Sequence, residues 1–330
     1  MAEDTAGWGG ALWAAADLVT PMAIRVAATL RLADHIAAGR QSAEALAAAV
    51  DADPAALERV LAHLVTAGVL SRTDTGGYAL TALGQQLQDD PHGLRRWLDL
   101  DGAIGRADLC FVELLHTVRT GEPAFPRRFG RSFWDDLSAD PERAASFDAL
   151  MGARLGADAP AVAGAYSWGG LGHVVDVGGG DGSLLIAILR AHRGLRGTVL
   201  DLPSPVARAS RAISAAGLGE RARAVVGSFF DALPAGAGGY LLSGVVRDWD
   251  DEAAARILQR CGDAAAGTGR VFVVEEAEVS TEGDLRMLCY VRGRERTVEE
   301  LGALAGSVGL QLGSVTPAGS RSIIELRPIG

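Results

Sequence analysis

The chain has 330 residues, which is long for a single core and suits two domains. Hydrophobic residues make up 48 % and charged residues 22 %, a composition that excludes a disordered chain. The formal net charge of −10 argues against a nucleic-acid partner, because phosphate binding needs a basic face.

The sequence also bears on location and on metals. The start, Met1-Ala-Glu-Asp, lacks the positive region of a secretory leader. An apolar stretch covers residues 11–32. Asp17, Pro21 and Arg25 interrupt it, so we expect no membrane partner there. The three cysteines have no close spacing and no metal-ligand motif occurs, so we expect a cytoplasmic protein without disulfides or metal.

The N-terminal elements predict a winged-helix pattern. Residues 11–38 read as two helices joined near Thr20-Pro21. A short helix follows with Ser42 as its N-cap, and Pro54 opens a second helix that is expected to run through Leu70. Residues 72–80 resemble a β-hairpin around two glycines. The order helix, turn, helix, two-stranded wing is typical of winged-helix domains.

A winged helix can bind DNA or can serve as a packing module. The second helix carries Glu58, Arg59 and His63 among alanines and leucines, which leaves few donors for phosphates or base edges. The apolar helices before it favour a dimer interface instead. We therefore expect residues 1–95 to form a helical dimerisation domain and the protein to be a homodimer.

Residues 96–330 are predicted to form the second domain, with a helical segment over 96–165 and an α/β core over 166–330. The helical segment is rich in bulky side chains. Most are expected in the core, and a few could cover a flat apolar ligand. They are Trp97, Phe111, His116, Phe125, Phe129, Phe133, Trp134, Phe147 and Met151.

From His173 strands alternate with helices, which predicts a doubly wound parallel sheet with helices on both faces. A helix over Asp251–Ala266 and a capping box at Thr297 and Glu300 mark two of the helices. The last two strands should form an antiparallel hairpin in the sheet. The predicted strands are His173–Val177, Gly197–Asp201, Ala222–Val226, Tyr240–Val245, Arg270–Glu275, Gln311–Thr316 and Arg321–Leu326.

The strongest local motif is Val174-Val-Asp-Val-Gly-Gly-Gly-Asp-Gly-Ser183, a strand, a glycine turn and a helix start. Ser183 stands where a dinucleotide fingerprint has its third glycine, so that fingerprint is incomplete. Asp201 closes the next strand and is placed to accept the ribose hydroxyls of a nucleoside. The alternative is that Asp201 caps the helix that begins at Pro203. An adenine ring is expected near Ser228 and Phe229.

With these motifs the sequence resembles the bacterial S-adenosylmethionine-dependent small-molecule O-methyltransferases, especially those of aromatic polyketide and anthracycline pathways, which are similar to plant caffeic-acid-type enzymes. The resemblance covers nearly the whole chain. The motifs that carry it are Pro123-Ala-Phe, Ser132-Phe-Trp134, Asp176-Val-Gly-Gly-Gly-Asp-Gly182, Asp201-Leu-Pro203, Gly227-Ser-Phe-Phe-Asp231, Arg247-Asp-Trp-Asp-Asp251, Asp284-Leu-Arg-Met287 and Gly293-Arg-Glu-Arg-Thr297.

The resemblance implies a methyltransferase fold with a dimerising N-terminal domain, S-adenosylmethionine as cofactor and S-adenosylhomocysteine as product. It implies a cofactor site formed by Arg154, Asp176, Gly178, Gly180, Asp201, Leu202, Ser228, Phe229 and Ser243. It implies an acceptor site formed by His116, Phe133, Trp134, Met151, Arg247, Met287 and Tyr290. It implies catalytic roles for Arg247, Glu275 and Glu295.

Two residues depart from the family pattern. The family usually has an aspartate where this chain has Ser228, which weakens one expected adenine contact. It commonly has His-Asp-Trp where this chain has Arg247-Asp-Trp249. The histidine is the family's general base, and a guanidinium stays protonated and cannot replace it. Arg247 between Glu275 and Glu295 is either an ion pair or a site for an anionic substrate group.

Three functions follow from this sequence. O-methylation of an aromatic polyketide-like metabolite is the first hypothesis, because alignment alone can accelerate an in-line methyl transfer. The second is a homologue that keeps the cofactor but has drifted to decarboxylation or hydroxylation. A DNA-binding regulator is the third, and the sequence shows no basic recognition helix for it.

Overall fold

The computed structural model describes residues 10–90 and 93–329, so the N-terminal residues on which the leader expectation rests lie outside it. The chain divides into two compact units. The first holds residues up to Asp108 together with 140–147, and the second holds 109–139 and the residues from Asp148 onward. Within the described ranges no single helix is long and apolar enough to cross a membrane. Only two adjacent helices, bent by 41° at their joint, would reach that length together.

The first unit is mostly helical. Its elements are α1 (Gly10–Ala16), α2 (Val19–Thr29), α3 (Leu32–Ala37), α4 (Ala43–Val50), α5 (Pro54–Thr66), β1 (Leu70–Arg72), β2 (Tyr78–Leu80), α6 (Ala82–Gln85), α7 (Arg95–Leu98) and α8 (Ala103–Asp108).

The predicted joint of the first two helices at Thr20-Pro21 is wrong. The break lies at Asp17, whose carboxylate accepts the N–H groups of Val19 and Thr20 at 3.0 and 3.2 Å. Pro21 therefore falls in the first turn of α2, where its missing N–H costs no helix bond. A second break follows at Arg31, whose φ of 53° is left-handed and ends the helical path.

The predicted helix, helix and hairpin are present in that order. Ser42 caps α4 by accepting the N–H of Ala45 at 3.1 Å. Helix α5 ends at Thr66 rather than Leu70, because Gly68 at φ 73° turns the chain toward β1. Strands β1 and β2 pair antiparallel, with Leu70 opposite Leu80. One apolar core holds these elements together.

The second unit contains the sheet. Its helices are α9 (Leu114–Thr120), α10 (Ala124–Phe129), α11 (Phe133–Ser138), α12 (Pro141–Ala165, whose first residues belong to the first unit), α13 (Ser183–Ala191), α14 (Pro203–Ala215), α15 (Asp251–Ala264), α16 (Thr281–Val291) and α17 (Val298–Gly306). Its strands are β3 (His173–Val177), β4 (Arg196–Asp201), β5 (Ala222–Val226), β6 (Gly239–Ser243), β7 (Arg270–Glu276), β8 (Leu310–Ala318) and β9 (Arg321–Pro328). Short 3-10 helices cover Leu109–Glu113, Trp168–Leu171 and Val246–Asp248.

The strands form one sheet in the order β5-β4-β3-β6-β7-β9-β8. The strands from β5 to β7 are parallel, whereas β9 pairs antiparallel with both β7 and β8. The fold prediction is confirmed, including the terminal antiparallel hairpin. From β3 the chain first adds β4 and β5 on one side of β3, and it then adds β6 and the remaining strands on the other side. Ligands of such sheets bind where the order reverses, outside the carboxyl ends of the strands.

Helices cover both faces of this sheet. One apolar layer joins α15 and α17 to the sheet, and the other joins α12, α13 and α14 to it. Because β3 and β6 are buried on both faces, their side chains are almost continuously apolar. Polar side chains at their carboxyl ends are therefore conspicuous, and they mark the candidate site.

Candidate functional site

A glycine turn connects β3 to α13. Gly178 has a φ of 73°, and a Cβ there would lie 2.8 Å from the Val245 side chain. A Cβ on Gly179 would lie 2.6 Å from the carboxyl group of Asp176. Gly180 has a φ of 59° and faces open space. Only glycine fits the first two positions, and the bare turn lets a ligand approach the backbone closely.

Asp201 at the end of β4 is tied to this turn. Its Oδ2 accepts the N–H of Gly180 at 2.8 Å, and its Oδ1 accepts the N–H of Leu202 at 2.7 Å. Burial raises the pKa of Asp201, and these two N–H groups oppose the rise. Helix α14 begins at Pro203 without a side-chain cap, so the capping alternative is not observed. Asp201 instead fixes the turn and keeps lone pairs for further donors.

Two polar atoms at the ends of β3 and β6 are enclosed. Asp176 Oδ2 and Ser243 Oγ have no hydrogen-bond partner among the residues that the structure describes. Burial raises the pKa of Asp176 to about 7, and the charges of Asp201 and Asp181 add to the rise. An enclosed polar atom without a partner costs about 1–3 kcal/mol. Both atoms lie where the strand order reverses, so a polar ligand at this crevice would satisfy them.

The segment after β5 borders the same turn. Phe229 lies beside Gly178, with ring atoms 3.6 Å from the position of a Cβ there. Its ring meets that of Trp249 edge to face at 5.7 Å. The Ser228 Oγ accepts the N–H of Phe230 at 3.1 Å, so its lone pairs are partly used within the loop. Leu202, on the other side of Asp201, is exposed.

Arg247 lies in the 3-10 helix after β6 and pairs with two carboxylates. Its Nη2 is 2.5 Å from Glu295 Oε1, and its Nη1 is 3.9 Å from Glu276 Oε1. From β7 it is Glu276, and not Glu275, that pairs with the guanidinium, whereas Glu275 accepts the main-chain N–H of Arg247. Adjacent strand residues point to opposite faces, so only one of the two glutamates of β7 can face the guanidinium.

One carboxylate oxygen of Glu275 is buried near Arg247. Its Oε1 has no hydrogen-bond partner within the described ranges. Burial raises the pKa of Glu275 to about 7, although the Arg247 charge opposes this. Burial likewise raises the pKa of Asp248 to about 7. Two carboxyl groups whose pKa is raised by burial thus adjoin Arg247.

Glu295 is the fixed partner of Arg247. Its Oε2 accepts the N–H of Ser280 at 2.7 Å, and its own N–H donates to Asp284 at 2.8 Å. A Cβ on Gly283 would lie 2.3 Å from Glu295 Oε1 and 3.2 Å from Arg247 Nη2. The first turn of α16 therefore packs against the ion pair, and only glycine fits at 283.

Arg296 holds the backbone around Arg247, a role that the sequence prediction missed. Its guanidinium donates to the carbonyls of Val246 at 3.0 Å and Trp249 at 2.9 Å and to Asp251 at 2.8 Å. Its side chain is 4 % exposed. The motif Gly293-Arg-Glu-Arg-Thr297 was visible in the sequence, but its contacts depend on the tertiary fold.

An aromatic cluster lies beside the 3-10 helix that carries Arg247. Phe133 stacks on Tyr290 at 5.9 Å, and Trp134 stacks on Trp249 at 6.5 Å. Phe133 and Tyr290 are buried, on α11 and α16 respectively. Three of the predicted acceptor residues thus come together, and Trp134 joins them to Trp249, two residues after Arg247. The other predicted acceptor residues are half-buried on three different helices: His116, Met151 and Met287.

A cavity of about 380 Å³ borders the charged cluster. Its lining includes Arg247, Glu275 and Glu295, the three residues predicted to be catalytic. It lies against the ends of β7 and β9 and the segment over 294–299, and the glycine turn is not part of its lining. The cavity and the crevice at Asp176 therefore both lie at the end of the sheet where the parallel strands have their carboxyl termini.

No group of three or more potential metal ligands occurs within the described ranges. Of the carboxylates around Arg247, Glu276 and Glu295 are paired with its guanidinium.

Comparison with known proteins gave two family matches and several full-length relatives. Residues 111–311 match an O-methyltransferase domain, and residues 13–90 match an O-methyltransferase dimerisation domain. The chain is 53 % identical over 320 residues to a 2,7-dihydroxy-5-methyl-1-naphthoate 7-O-methyltransferase of Streptomyces carzinostaticus, with 96 % of each chain covered. It is 46 % identical to an aclacinomycin 10-hydroxylase of Streptomyces purpurascens, covering 93 % of this chain and 85 % of that one.

A solved structure is similar over the same length. It is a crystal structure of an O-methyltransferase from neocarzinostatin biosynthesis in complex with S-adenosylmethionine and 2-hydroxy-5-methyl naphthoic acid. The identity is 54 %, the TM-score is 0.93, and 96 % of this chain and 98 % of that chain are covered.

Proposed function

The chain belongs to the O-methyltransferase family, and we propose that it transfers the methyl group of S-adenosylmethionine to a hydroxyl of an aromatic polyketide-like acid. The observation that carries the proposal is the bare glycine turn beside two enclosed polar atoms, Asp176 Oδ2 and Ser243 Oγ. A similar protein binds S-adenosylmethionine and a naphthoic acid.

The residues at the crevice fit the cofactor. Asp201 would accept the ribose hydroxyls, while Phe229 and Ser228 would flank the adenine. Asp176, Gly178, Gly180 and Ser243 would surround the amino-acid end, which brings polar atoms to the unpartnered oxygens. Leu202 would border the nucleoside, and Arg154 would face the carboxylate. When bound, the cofactor supplies an electrophilic methyl group on a sulfonium.

The protein's own contribution is alignment and charge. Phe133, Trp134 and Tyr290 would hold a flat ring, with His116, Met151 and Met287 at its edges. The guanidinium of Arg247 favours the ionised form of a nearby hydroxyl, whose proton passes to solvent. A general base typically contributes ~10²–10⁴-fold, so methyl transfer without one is slower but retained. Glu275 and Glu295 would position Arg247 from behind.

The acceptor class follows from the relatives. Two of them are named for, or contain, a hydroxylated naphthoic acid. A stacked aromatic cluster next to a guanidinium suits a flat ring that carries an anionic group. The test is incubation with S-adenosylmethionine and hydroxynaphthoic acids, followed by mass spectrometry. A product heavier by one methyl-for-hydrogen exchange supports the proposal, and unchanged acid with every acceptor contradicts it.

Hydroxylation or decarboxylation is the second candidate, because Arg247 replaces the usual base and a hydroxylase is among the relatives. The same mass assay distinguishes it, since the product would gain oxygen or lose carbon dioxide instead of gaining a methyl group.

We place a homodimer within the same proposal. The matched dimerisation domain and four exposed apolar side chains on or beside α1 and α2 support it. Those side chains are Leu12, Trp13, Leu18 and Val19. The domain boundary near residue 95, the cytoplasmic location, and the expectation that the protein binds neither nucleic acid nor membrane stay predictions.

A further inference from the structure

Two arginines of the second unit share one carboxylate oxygen. Nη2 of Arg154 on α12 and Nη1 of Arg247 both approach Oε1 of Glu276, the last residue of β7. The Arg154 contact is the shorter, and the Arg247 contact is 3.9 Å. The three side chains are between 13 and 38 % exposed, so ligands can reach them. No role has been assigned to Glu276 in the proposed function.

The two arginines face different parts of the site. Two residues before Arg154, a Cβ on Gly152 would lie 3.0 Å from Asp181 of the glycine turn. Arg154 therefore lies where α12 passes from the turn to the end of β7. Arg247 instead lies two residues before Trp249, which stacks on the aromatic cluster. Glu276 connects a cofactor-side arginine with an acceptor-side arginine.

The charges of the two arginines are balanced by two glutamates, and only one of these glutamates can give way to the carboxylate of a ligand. Glu295 is held by Arg247 and by the N–H of Ser280, and its side chain is 6 % exposed. It is therefore the permanent partner of Arg247, and Glu276 neutralises the remaining positive charge. Burial lowers the pKa of Arg154, and the like charge of Arg247 lowers it further. The two arginines therefore need one anion besides Glu295. If a ligand carboxylate bound while Glu276 stayed in place, negative charge would be in excess.

We propose that Glu276 is an internal carboxylate that occupies the Arg154–Arg247 pair, and that a ligand carboxylate binds there by displacing it. The shared ligand chemistry is a carboxylate, which either the amino-acid end of the cofactor or the ring acid of the acceptor can supply. This inference rests on the proposed function for the choice of those two ligands. Glu276 thereby sets how strongly the site prefers acids to neutral analogues.

If Glu276 only formed a structural ion pair, its removal would not strengthen carboxylate binding. A partly exposed ion pair contributes little to stability, so Glu276→Gln should fold normally. Asp158 provides a matched control, because it lies one turn further along α12 and pairs with Arg321 at 2.8 Å. That pair ties the same helix to the neighbouring strand β9 but is not shared with Arg247. The charge of Asp158 also raises the pKa of Arg154, so Asp158→Asn should lower the melting temperature and change carboxylate binding less than either Glu276 variant does.

The experiment is calorimetric binding to the full-length wild type, Glu276→Gln, Glu276→Ala and Asp158→Asn. The cofactor arm compares S-adenosylhomocysteine with its decarboxylated analogue. The acceptor arm, run with S-adenosylhomocysteine present, compares 3-hydroxy-2-naphthoic acid with 2-naphthol. Both Glu276 variants should bind the acid of one arm about tenfold more tightly, whereas the analogue that lacks the carboxylate should gain no affinity. The arm that responds identifies the source of the carboxylate.

Three results would overturn the proposal. The acids could bind no more tightly to either Glu276 variant, or the acid and the analogue that lacks the carboxylate could gain affinity equally. Weaker binding of S-adenosylhomocysteine to Glu276→Gln would show that Glu276 holds the ammonium group instead. Because these readings need no turnover, a protein that binds both ligands but transfers no methyl group would contradict only the proposed function.

Discussion

At the scale of single residues, the site depends on which polar groups are fixed and which are free. Asp201 is fixed by two main-chain N–H groups, yet its carboxylate retains lone pairs toward the crevice. Arg247 is fixed by Glu295 and by the packing of Gly283. Buried oxygens without a hydrogen-bond partner among the described residues include Asp176 Oδ2, Ser243 Oγ and Glu275 Oε1.

The role of Asp201 is tested by Asp201→Ala. The change removes an acceptor of charged hydrogen bonds, so binding of S-adenosylhomocysteine should weaken by roughly 1.5–3 kcal/mol. Calorimetry measures the change, and Asp263→Ala, an exposed acid on α15, is the control. Unchanged affinity in Asp201→Ala, or a wild-type preference for NAD, would reject the cofactor assignment.

Arg247 is tested by two substitutions. Arg247→Ala should raise KM for the acceptor or stop turnover. Arg247→His places an imidazole near Glu295, the carboxylate that pairs with the side chain at this position, and should increase methyl transfer. The measurements are product mass, kinetics and melting temperature for all three proteins. Equal activity with lower stability in both variants would leave Arg247 with a structural role only.

The raised pKa of Glu275 predicts a pH dependence of stability. The folded protein keeps this proton up to about pH 7, whereas the unfolded chain loses it near its ordinary pKa of 4.5. Between these values the folded state binds more protons, so the free energy of unfolding falls as pH rises. The enclosed Oε1 supports the shift, although other atoms of Glu275 are partly accessible.

Glu275→Gln should therefore flatten the stability profile between about pH 4.5 and 7, by roughly 1–2 kcal/mol relative to the wild type. Urea unfolding at several pH values measures this, and the exposed Glu278→Gln is the control. A Glu275→Gln profile parallel to that of the wild type would show that Glu275 is ionised in the folded protein.

At the scale of elements, two strands could be predicted to the residue. The bounds of β3 and β5 agree with the prediction because turn residues flank these short segments. The first helices were placed less well, since the side chain of Asp17 rather than Pro21 decides where α2 begins. Glu276 could not be chosen over Glu275 without knowing which face of β7 meets Arg247. The contacts of Arg296 likewise depend on residues 45 or more positions away.

The segment 293–297 holds the 3-10 helix around Arg247 through hydrogen bonds to its backbone. A pair of arginine variants can test whether these bonds matter for activity. Arg294 and Arg296 both pair with Asp251, but only Arg296 reaches the carbonyls of Val246 and Trp249. Arg296→Lys loses the planar fork and should lower kcat/KM for the acceptor about tenfold or more, with cofactor affinity retained. Arg294→Lys is the matched control and should change little. Equal effects would mean that the ion pair with Asp251, not the carbonyl contacts, is what matters.

At the scale of the whole molecule, exposed apolar helices predict assembly. Leu12 is 77 % exposed and Val19 is 63 % exposed, and both lie within the N-terminal helices. Light scattering should give the mass of a dimer at micromolar concentration, and Leu12→Asp together with Val19→Asp should lower it to that of a monomer. Leu312→Asp, on the edge strand β8, should leave the mass unchanged. A monomeric wild type would contradict the dimer.

The central claim, that a methyl group passes from S-adenosylmethionine to an aromatic oxygen, is tested most directly by isotopic labelling. The protein is incubated with S-adenosylmethionine labelled in its methyl carbon and with a hydroxynaphthoic acid, and the product is examined by NMR. We expect the label in an aryl methyl ether, together with an equal amount of S-adenosylhomocysteine. A label that stays in S-adenosylmethionine, while the acid is oxidised or loses carbon dioxide, would contradict the account.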